Sequence, residues 1–240
     1  MKKIIKILVL FIFISIPIIA HCALTTDIVG YWKLDGNSND ATASDDDGTD
    51  TSITYSNANG IINNGAGFNG SSGKITLSAS GFPTGNSARS VNLWFKPGTV
   101  SGSRQLFLYG TATTGRKFGI ARAGNRILVV CYGFNANVAS NSSLSAGTMY
   151  MVTVTFDGSG NIKYYLNGST AGTATLATIN TTADNGEIGH GWDGYFNGSI
   201  DEVGIWDREL TSTEVTDLYN SGDGLQYPFT TATRRIINIE

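Results

Sequence analysis

The sequence predicts an all-β protein, an antiparallel sandwich with one short helix near its C-terminal end. Three observations predict it. Apolar residues recur in short runs, some with clean period-two alternation, as in Val152, Val154 and Phe156 against Thr153 and Thr155. The spaces between those runs hold Gly, Ser, Thr and Asn, with 30 Gly and only 4 Pro among 240 residues, the composition of many strands joined by polar turns. One segment alone carries helix signals: Thr211 and Glu214 form a T-x-x-E capping box, Val215 and Leu218 share a face, and Gly222 offers a stop. Many short strands with one late helix pack sheet on sheet and do not build an α/β fold.

The elements follow in order. Val29–Leu34 opens as a strand, and Asp35 to Asp50 is a polar loop rich in Asp, Asn, Ser and Gly. Ile53 to Asn64 is ambiguous between strand and loop. Phe68 to Leu77 reads as two short strands around a Gly-Ser turn, and Val91–Phe95 is a strand closed by Pro97-Gly98. Gln105–Tyr109, Lys117–Ala121 and Arg126–Tyr132 are three further strands, separated by Thr113-Thr114-Gly115 and Ala123-Gly124-Asn125. Met149–Phe156 and Asn161–Leu166 form the clearest hairpin, joined by Asp157-Gly158-Ser159-Gly160. Glu187–Gly189 and Ser199–Trp206 complete the strands. In the last of these, Asp201 and Glu202 interrupt the apolar alternation. Two carboxylates in a strand cannot both face a dry core, and neighbours in a regular strand point to opposite faces.

Residues 1–22 read as a leader. Met1-Lys2-Lys3 is positive, Ile4 to Ala20 is almost continuously apolar, and Ala20-His21-Cys22 precedes a cleavage point before Ala23. The expectation is export, to the medium or the cell surface; a membrane anchor, or acylation at Cys22, are the alternatives. The organisation expected is a leader at 1–22, one sandwich domain at 23–224 and a tail at 225–240. A formal net charge of -3 and the lack of a basic cluster argue against a nucleic-acid partner. With the leader removed, Cys131 and His190 would be the last of their kinds, so no intramolecular disulfide or multi-His/Cys zinc site can form.

Five stretches carry a family resemblance. Gly30-Tyr31-Trp32-Lys33-Leu34-Asp35-Gly36 opens the series, and Gly65 to Gly70 followed by Lys74-Ile75-Thr76-Leu77 comes second. Ser90 to Pro97, reading SVNLWFKP, is third, and the hairpin MVTVTFDG…KYYLNG is fourth. Tyr195 to Leu210, YFNGSIDEVGIWDREL, with the T-x-x-E helix start behind it, is fifth. In this order, from about residue 28 to 222, the chain resembles LamG-like jelly-roll domains of the concanavalin A-like lectin/glucanase group. The resemblance implies a two-sheet antiparallel jelly roll and a non-catalytic binding module. Its expected partner is a polysaccharide or glycan; a protein partner at a cell surface or in a matrix, as for laminin-type relatives, is the alternative. It also implies a structural calcium ion between the opening loop and the late strand, held by Asp40 and Asp201, with Asp35 and the Gly198 carbonyl as further ligands. The acidic loop by itself reads first as a solvated cap of the sandwich, and it is the resemblance that points to calcium.

Candidate ligand-facing groups are Trp192, Tyr195 and His190 in a Gly-rich loop, and Tyr132 with Asn135 at a strand end. A flat aromatic face can stack on sugar C–H groups while polar neighbours bond hydroxyls. Trp32, Trp94 and Trp206 lie in strands and are expected in the core. His190 also reads as a plain turn residue. Glucanases on this fold use paired carboxylates, with i and i+2 sharing one face of a strand. No Glu of this chain has Asp or Glu two places on, so a glycoside hydrolase is the least favoured reading.

Overall fold

The computed structural model describes residues 22–133, 143–176, 179–184 and 186–230. Residues 1–21 of the leader, the stretch 134–142 that contains Asn135, and residues 231–240 of the tail lie outside the described residues. In chain order the strands are β1 (Ile28–Trp32), β2 (Thr49–Thr51), β3 (Thr54–Ser56), β4 (Gly65–Asn69), β5 (Lys74–Leu77), β6 (Arg89–Pro97), β7 (Ser103–Gly110) and β8 (Lys117–Ala123). They continue with β9 (Arg126–Val130), β10 (Tyr150–Phe156), β11 (Asn161–Leu166), β12 (Ser169–Thr175), β13 (Gly186–Ile188), β14 (His190–Gly191), β15 (Gly194–Tyr195) and β16 (Asn197–Trp206). The helix α1 (Ser212–Tyr219) follows.

Two antiparallel sheets face each other. The eight-stranded sheet runs β12-β11-β10-β6-β16-β4-β3, with β1 also paired to β16; the six-stranded sheet runs β2-β5-β13-β7-β8-β9. This is the two-sheet antiparallel jelly roll that the sequence predicts. Its main core lies between the sheets. Val91, Leu93 and Phe95 of β6 and Val152, Val154 and Phe156 of β10 meet Phe107 and Tyr109 of β7 and Phe118 and Ile120 of β8. Period-two alternation supplies those inward residues, and their burial drives the assembly.

The eight-stranded sheet is covered on its other face as well. Trp94, Met151, Tyr165 and Trp206 point outward into a second apolar cluster with Leu210, Val215, Leu218, Leu225 and Phe229. That explains why every residue of β6 except Lys96 is buried. The predicted capping box is present: Thr211 Oγ1 accepts from Glu214 N at 3.2 Å, and Glu214 Oε2 accepts from Thr211 N at 2.8 Å. Arg208 clamps this helix start with 2.7 and 3.0 Å bonds to Glu214, and it also donates to the carbonyls of Ala23 and Thr26.

Arg89 is fully buried without a carboxylate bonded to it. It donates to the carbonyls of Pro83, Thr84, Gly85 and Ser87 and to the Tyr109 hydroxyl. Its guanidinium lies 5.4 Å from the Phe118 ring centroid and 5.7 Å from that of Phe156. Charge-assisted bonds to carbonyls and two ring faces make this burial tolerable.

Candidate functional site: an open sheet face and a buried acid cluster

The outer face of the six-stranded sheet is fixed by register. Thr76, Glu187, Leu108, Gly119 and Val130 lie directly opposite one another across β5, β13, β7, β8 and β9. Their sequence neighbours Ile75, Ile188, Phe107, Ile120 and Val129 enter the core between the sheets. The row therefore faces away from the core. Lys117, two residues before Gly119, shares that outer face, and Tyr132, two residues beyond Val130, continues it past the end of β9.

A small hairpin of β14 and β15 folds over this face. Its entry turns at Gly189, whose φ of 75° favours glycine and where a Cβ would lie 2.2 Å from the Phe68 ring. Gln105 Nε2 donates to Asp193 Oδ2 at 2.8 Å and Arg104 Nε donates to the Tyr195 carbonyl at 3.0 Å, tying the hairpin to β7. The hairpin tip presents Trp192. Trp192 is 49% exposed and Tyr132 37%, and they are the large hydrophobic side chains left exposed among the described residues. Their ring centroids lie 5.6 Å apart, edge to face at 89°. Such an edge-to-face pair holds each ring against the other.

Polar groups surround the pair. Lys117 Nζ lies 5.8 Å from the Trp192 ring centroid. His190 and Tyr195 pair their rings at 4.4 Å. His190 Nδ1 lies 2.9 Å from Glu187 Oε1, and Lys74 Nζ lies 3.6 Å from the same oxygen. Burial holds the Lys117 ammonium below the ordinary lysine range, while the charges of Glu187 and Asp184 pull it back up. The middle of this face is covered, with Gln105, Leu108, Val130 and Lys117 all buried, and the exposed aromatic surface, donors and acceptors converge at its rim around Trp192 and Tyr132, which is the composition of a ligand site.

A second constellation lies on the opposite side of the molecule, beneath the second apolar cluster. Asp201 and Glu202 of β16 are 0% and 1% exposed. The expectation that they point to opposite faces fails. The β16–β6 register shifts between Asp201 and Gly204, and Glu202 adopts a φ of 49°, so a bulge breaks the alternation. Asp201 pairs opposite Trp94, and Glu202 Oε2 accepts from the Tyr31 hydroxyl; both partners belong to the cluster under α1. Asp201 Oδ2 accepts from Ile61 N and Ile62 N, whereas its Oδ1 is buried without a partner. Gln226 Nε2 donates to Glu202 Oε1 and, at 3.0 Å, to Asp35 Oδ2, so a third carboxylate joins. Burial first, and then the charge of Glu202, push Asp201 up to about 9. Burial pushes Glu202 up to about 8 against the bonds from Tyr31 and Gln226.

The sequence candidates are therefore distributed over several places. Trp192, Tyr195, His190 and Tyr132 come together on the outer sheet face; Asn135 lies outside the described residues. Asp35 and Asp201 meet in the acid cluster. Asp40 is placed differently: its carboxylate accepts from Tyr31 N, Thr42 N, Thr42 Oγ1 and Asp46 N, and so braces the opening loop. Gly198 lies three residues before Asp201, about 10 Å along the strand. Lys117, Gln105, Glu187 and Gln226 carry no signal in the sequence as site residues, and Glu202 stands out there only as an interruption of its strand. Only the register of β7 to β9 could have flagged the first two as outward-facing.

The two-sheet antiparallel sandwich with one short helix and an open aromatic face defines a lectin-like jelly roll. A family model described as the concanavalin A-like lectin/glucanases superfamily matches residues 69–216, more than half of the chain, and the chain belongs to that superfamily. No curated protein matches the sequence. Among solved structures, domain 4 of AbnA, a GH43 extracellular arabinanase from Geobacillus stearothermophilus in complex with arabinotriose, is similar with a TM-score of 0.68 and 24% identity, covering 80% of this chain and 97% of that one. The binding domain of Paraclostridial Mosquitocidal Protein 1 is similar with a TM-score of 0.66 and 13% identity over 82% of this chain and 52% of that one. So is a chain of botulinum neurotoxin type C, whose cell entry depends upon interaction with two ganglioside molecules, with a TM-score of 0.64 and 16% identity over 81% of this chain and 51% of that one. This chain thus spans about half the length of the two toxin chains. At these identities the likeness shows the shared fold.

Proposed function

We propose that the protein is an exported, non-catalytic carbohydrate-binding module whose glycan lies across the outer face of the six-stranded sheet, against Trp192 and Tyr132. The observation that carries this reading is the exposed, edge-to-face aromatic pair, set among His190, Tyr195, Gln105, Asp193 and Lys117. A ring already held by its neighbours loses little freedom on stacking against a sugar. The arabinotriose bound in the AbnA domain and the gangliosides of the type C toxin support a glycan as the class of ligand. The apolar leader supports export. The carboxylates support binding rather than hydrolysis: Asp201 and Glu202 are buried away from the open face, and Glu187 is engaged by His190 and Lys74.

A glycan array followed by calorimetric titration tests the reading. Trp192→Ala is expected to weaken binding by about tenfold or more, the effect of truncating a central aromatic anchor, with an unchanged unfolding curve. A protein that binds no glycan class would instead favour a module that docks on cell-surface or matrix proteins.

Our reading includes a structural calcium ion at the acid cluster. The donor set suits a hard cation: Asp35 and Asp201 supply carboxylate oxygens, and Asp201 Oδ1 is buried without a partner. No three His, Cys, Asp or Glu side chains among the described residues close into a ligand group. The rest of the roughly six to eight oxygens that calcium takes would be backbone carbonyls and water. When bound, the ion would offset the charge of the buried carboxylates and tie β16 to the opening loop. Calorimetry of the chelated protein checks this reading: no heat on adding calcium, together with an unmoved unfolding temperature, removes the ion.

A further inference from the structure

The open face has one group whose bonding is incomplete. Lys117 sits on the floor of the face and is only 8% exposed. Its ammonium lies beside the Trp192 ring, yet it donates no hydrogen bond and makes no ion pair among the described residues. The nearby carboxylates are all engaged. Glu187 is bonded to His190 and 3.6 Å from Lys74, Asp193 accepts from Gln105, and Asp184 accepts from the Thr111 hydroxyl at 3.3 Å. The acids therefore have donors, whereas the Lys117 ammonium has no protein acceptor among the described residues: its stem is buried while its Nζ keeps contact with water. A ligand that lies against Trp192 displaces water from this ammonium and must supply an acceptor in its place. A neutral hydroxyl would serve weakly. An anionic oxygen gives a bond roughly twice as strong as a neutral pair.

Building on the glycan-binding reading, we propose that Lys117 is a specificity-determining residue that selects an anionic sugar, one carrying a carboxylate or a sulfate group. The sugar ring stacks on Trp192 while its charged group bonds the Lys117 ammonium. Trp192 supplies affinity for the ring, and Lys117 supplies the preference for charge. Glu187, Asp184 and Asp193 oppose a second negative charge farther along the face, so one anionic group per bound site is the expected pattern. Lys74 is drawn toward Glu187 and does not compete for the ligand.

The test uses the full chain and three oligosaccharides of equal length, built of galacturonate, 6-sulfated galactose or galactose, titrated at low and at moderate salt. Wild-type protein is expected to bind one or both anionic oligomers about tenfold more tightly than the neutral one, and salt should erode that preference. The arm that shows the preference identifies the source of the charge. Lys117→Gln is expected to bind the three alike, and an unchanged urea-unfolding curve reports that the variant is folded. Lys117→Arg should keep the preference. Equal wild-type affinity for all three oligomers, or a preference that survives in Lys117→Gln, overturns the assignment and leaves the glycan-binding reading standing. Failure of every oligomer to bind overturns the assignment, while the glycan array decides the glycan-binding reading.

Discussion

Asp201→Asn probes the buried acid pair most directly. In the folded protein Asp201 holds its proton up to about 9, whereas an unfolded Asp releases it near 3.9. A folded value raised above the unfolded one means that stability is full below about pH 4 and is lost as pH climbs toward 9. Between pH 5 and pH 8 Asp201 holds one proton that the unfolded chain does not, and Glu202, pushed up to about 8, holds a second over most of that interval. Each pH unit then costs about 1.4 kcal/mol per proton, so the chelated wild type should lose on the order of 4 kcal/mol across that interval through Asp201 alone, and a comparable amount through Glu202. Urea unfolding at pH 5 and pH 8 in the presence of a chelator reads this loss. Asparagine has no proton to release, so Asp201→Asn should lose about half of the slope, keep the part that Glu202 contributes, and be the more stable protein at pH 8. Saturating calcium should raise the unfolding temperature of the wild type at pH 8 and leave the variant unmoved. A wild-type stability that stays flat from pH 5 to pH 8, or a variant that retains the full slope, would refute the argument. Either result would mean that the bulge at Glu202 does not hold both acids out of water.

Two further outcomes concern groups whose surroundings are closed. Arg89→Met keeps the apolar bulk but removes the guanidinium from the carbonyls of Pro83, Thr84, Gly85 and Ser87, of which the first three keep another donor in Tyr109, Ser87 and Thr181; urea unfolding should show a loss of about 1–3 kcal/mol, and no measurable loss would mean that water replaces the guanidinium. Cys131 is 3% exposed and its thiol is pushed by burial up to about 12, so a thiol-labelling reagent should fail on the native protein and react fully in urea. Native labelling at the rate of a free thiol would show that β9 opens at its end.

The fold could be read from the chain because its determinants are local. Alternation in Met149–Phe156 needs no partner to be recognised, and the Thr211–Glu214 box is complete within four residues, so these elements appear where the residues place them. Elements that depend on their neighbours were harder to read. β2, β3 and β12 are short edge or near-edge strands with largely polar residues, such as Thr49-Asp50-Thr51, and they exist because an adjacent strand offers a ladder. The site follows the same division. Trp192 could be singled out because a large aromatic in a Gly-rich loop lacks an evident core position. Lys117 could not, because whether its ammonium meets an acceptor depends on Glu187, Asp184 and Thr111, up to 70 residues away in sequence. The carboxylates of Asp201 and Glu202 show the limit most clearly. Alternation assigns them opposite faces, and only the positive φ of Glu202 brings both beneath α1. A strand interrupted by two acids is thus itself the sign of a bulge: the unfavourable burial of charge that disqualifies a regular strand is what a local break in register, a tyrosine hydroxyl and a glutamine amide together accommodate.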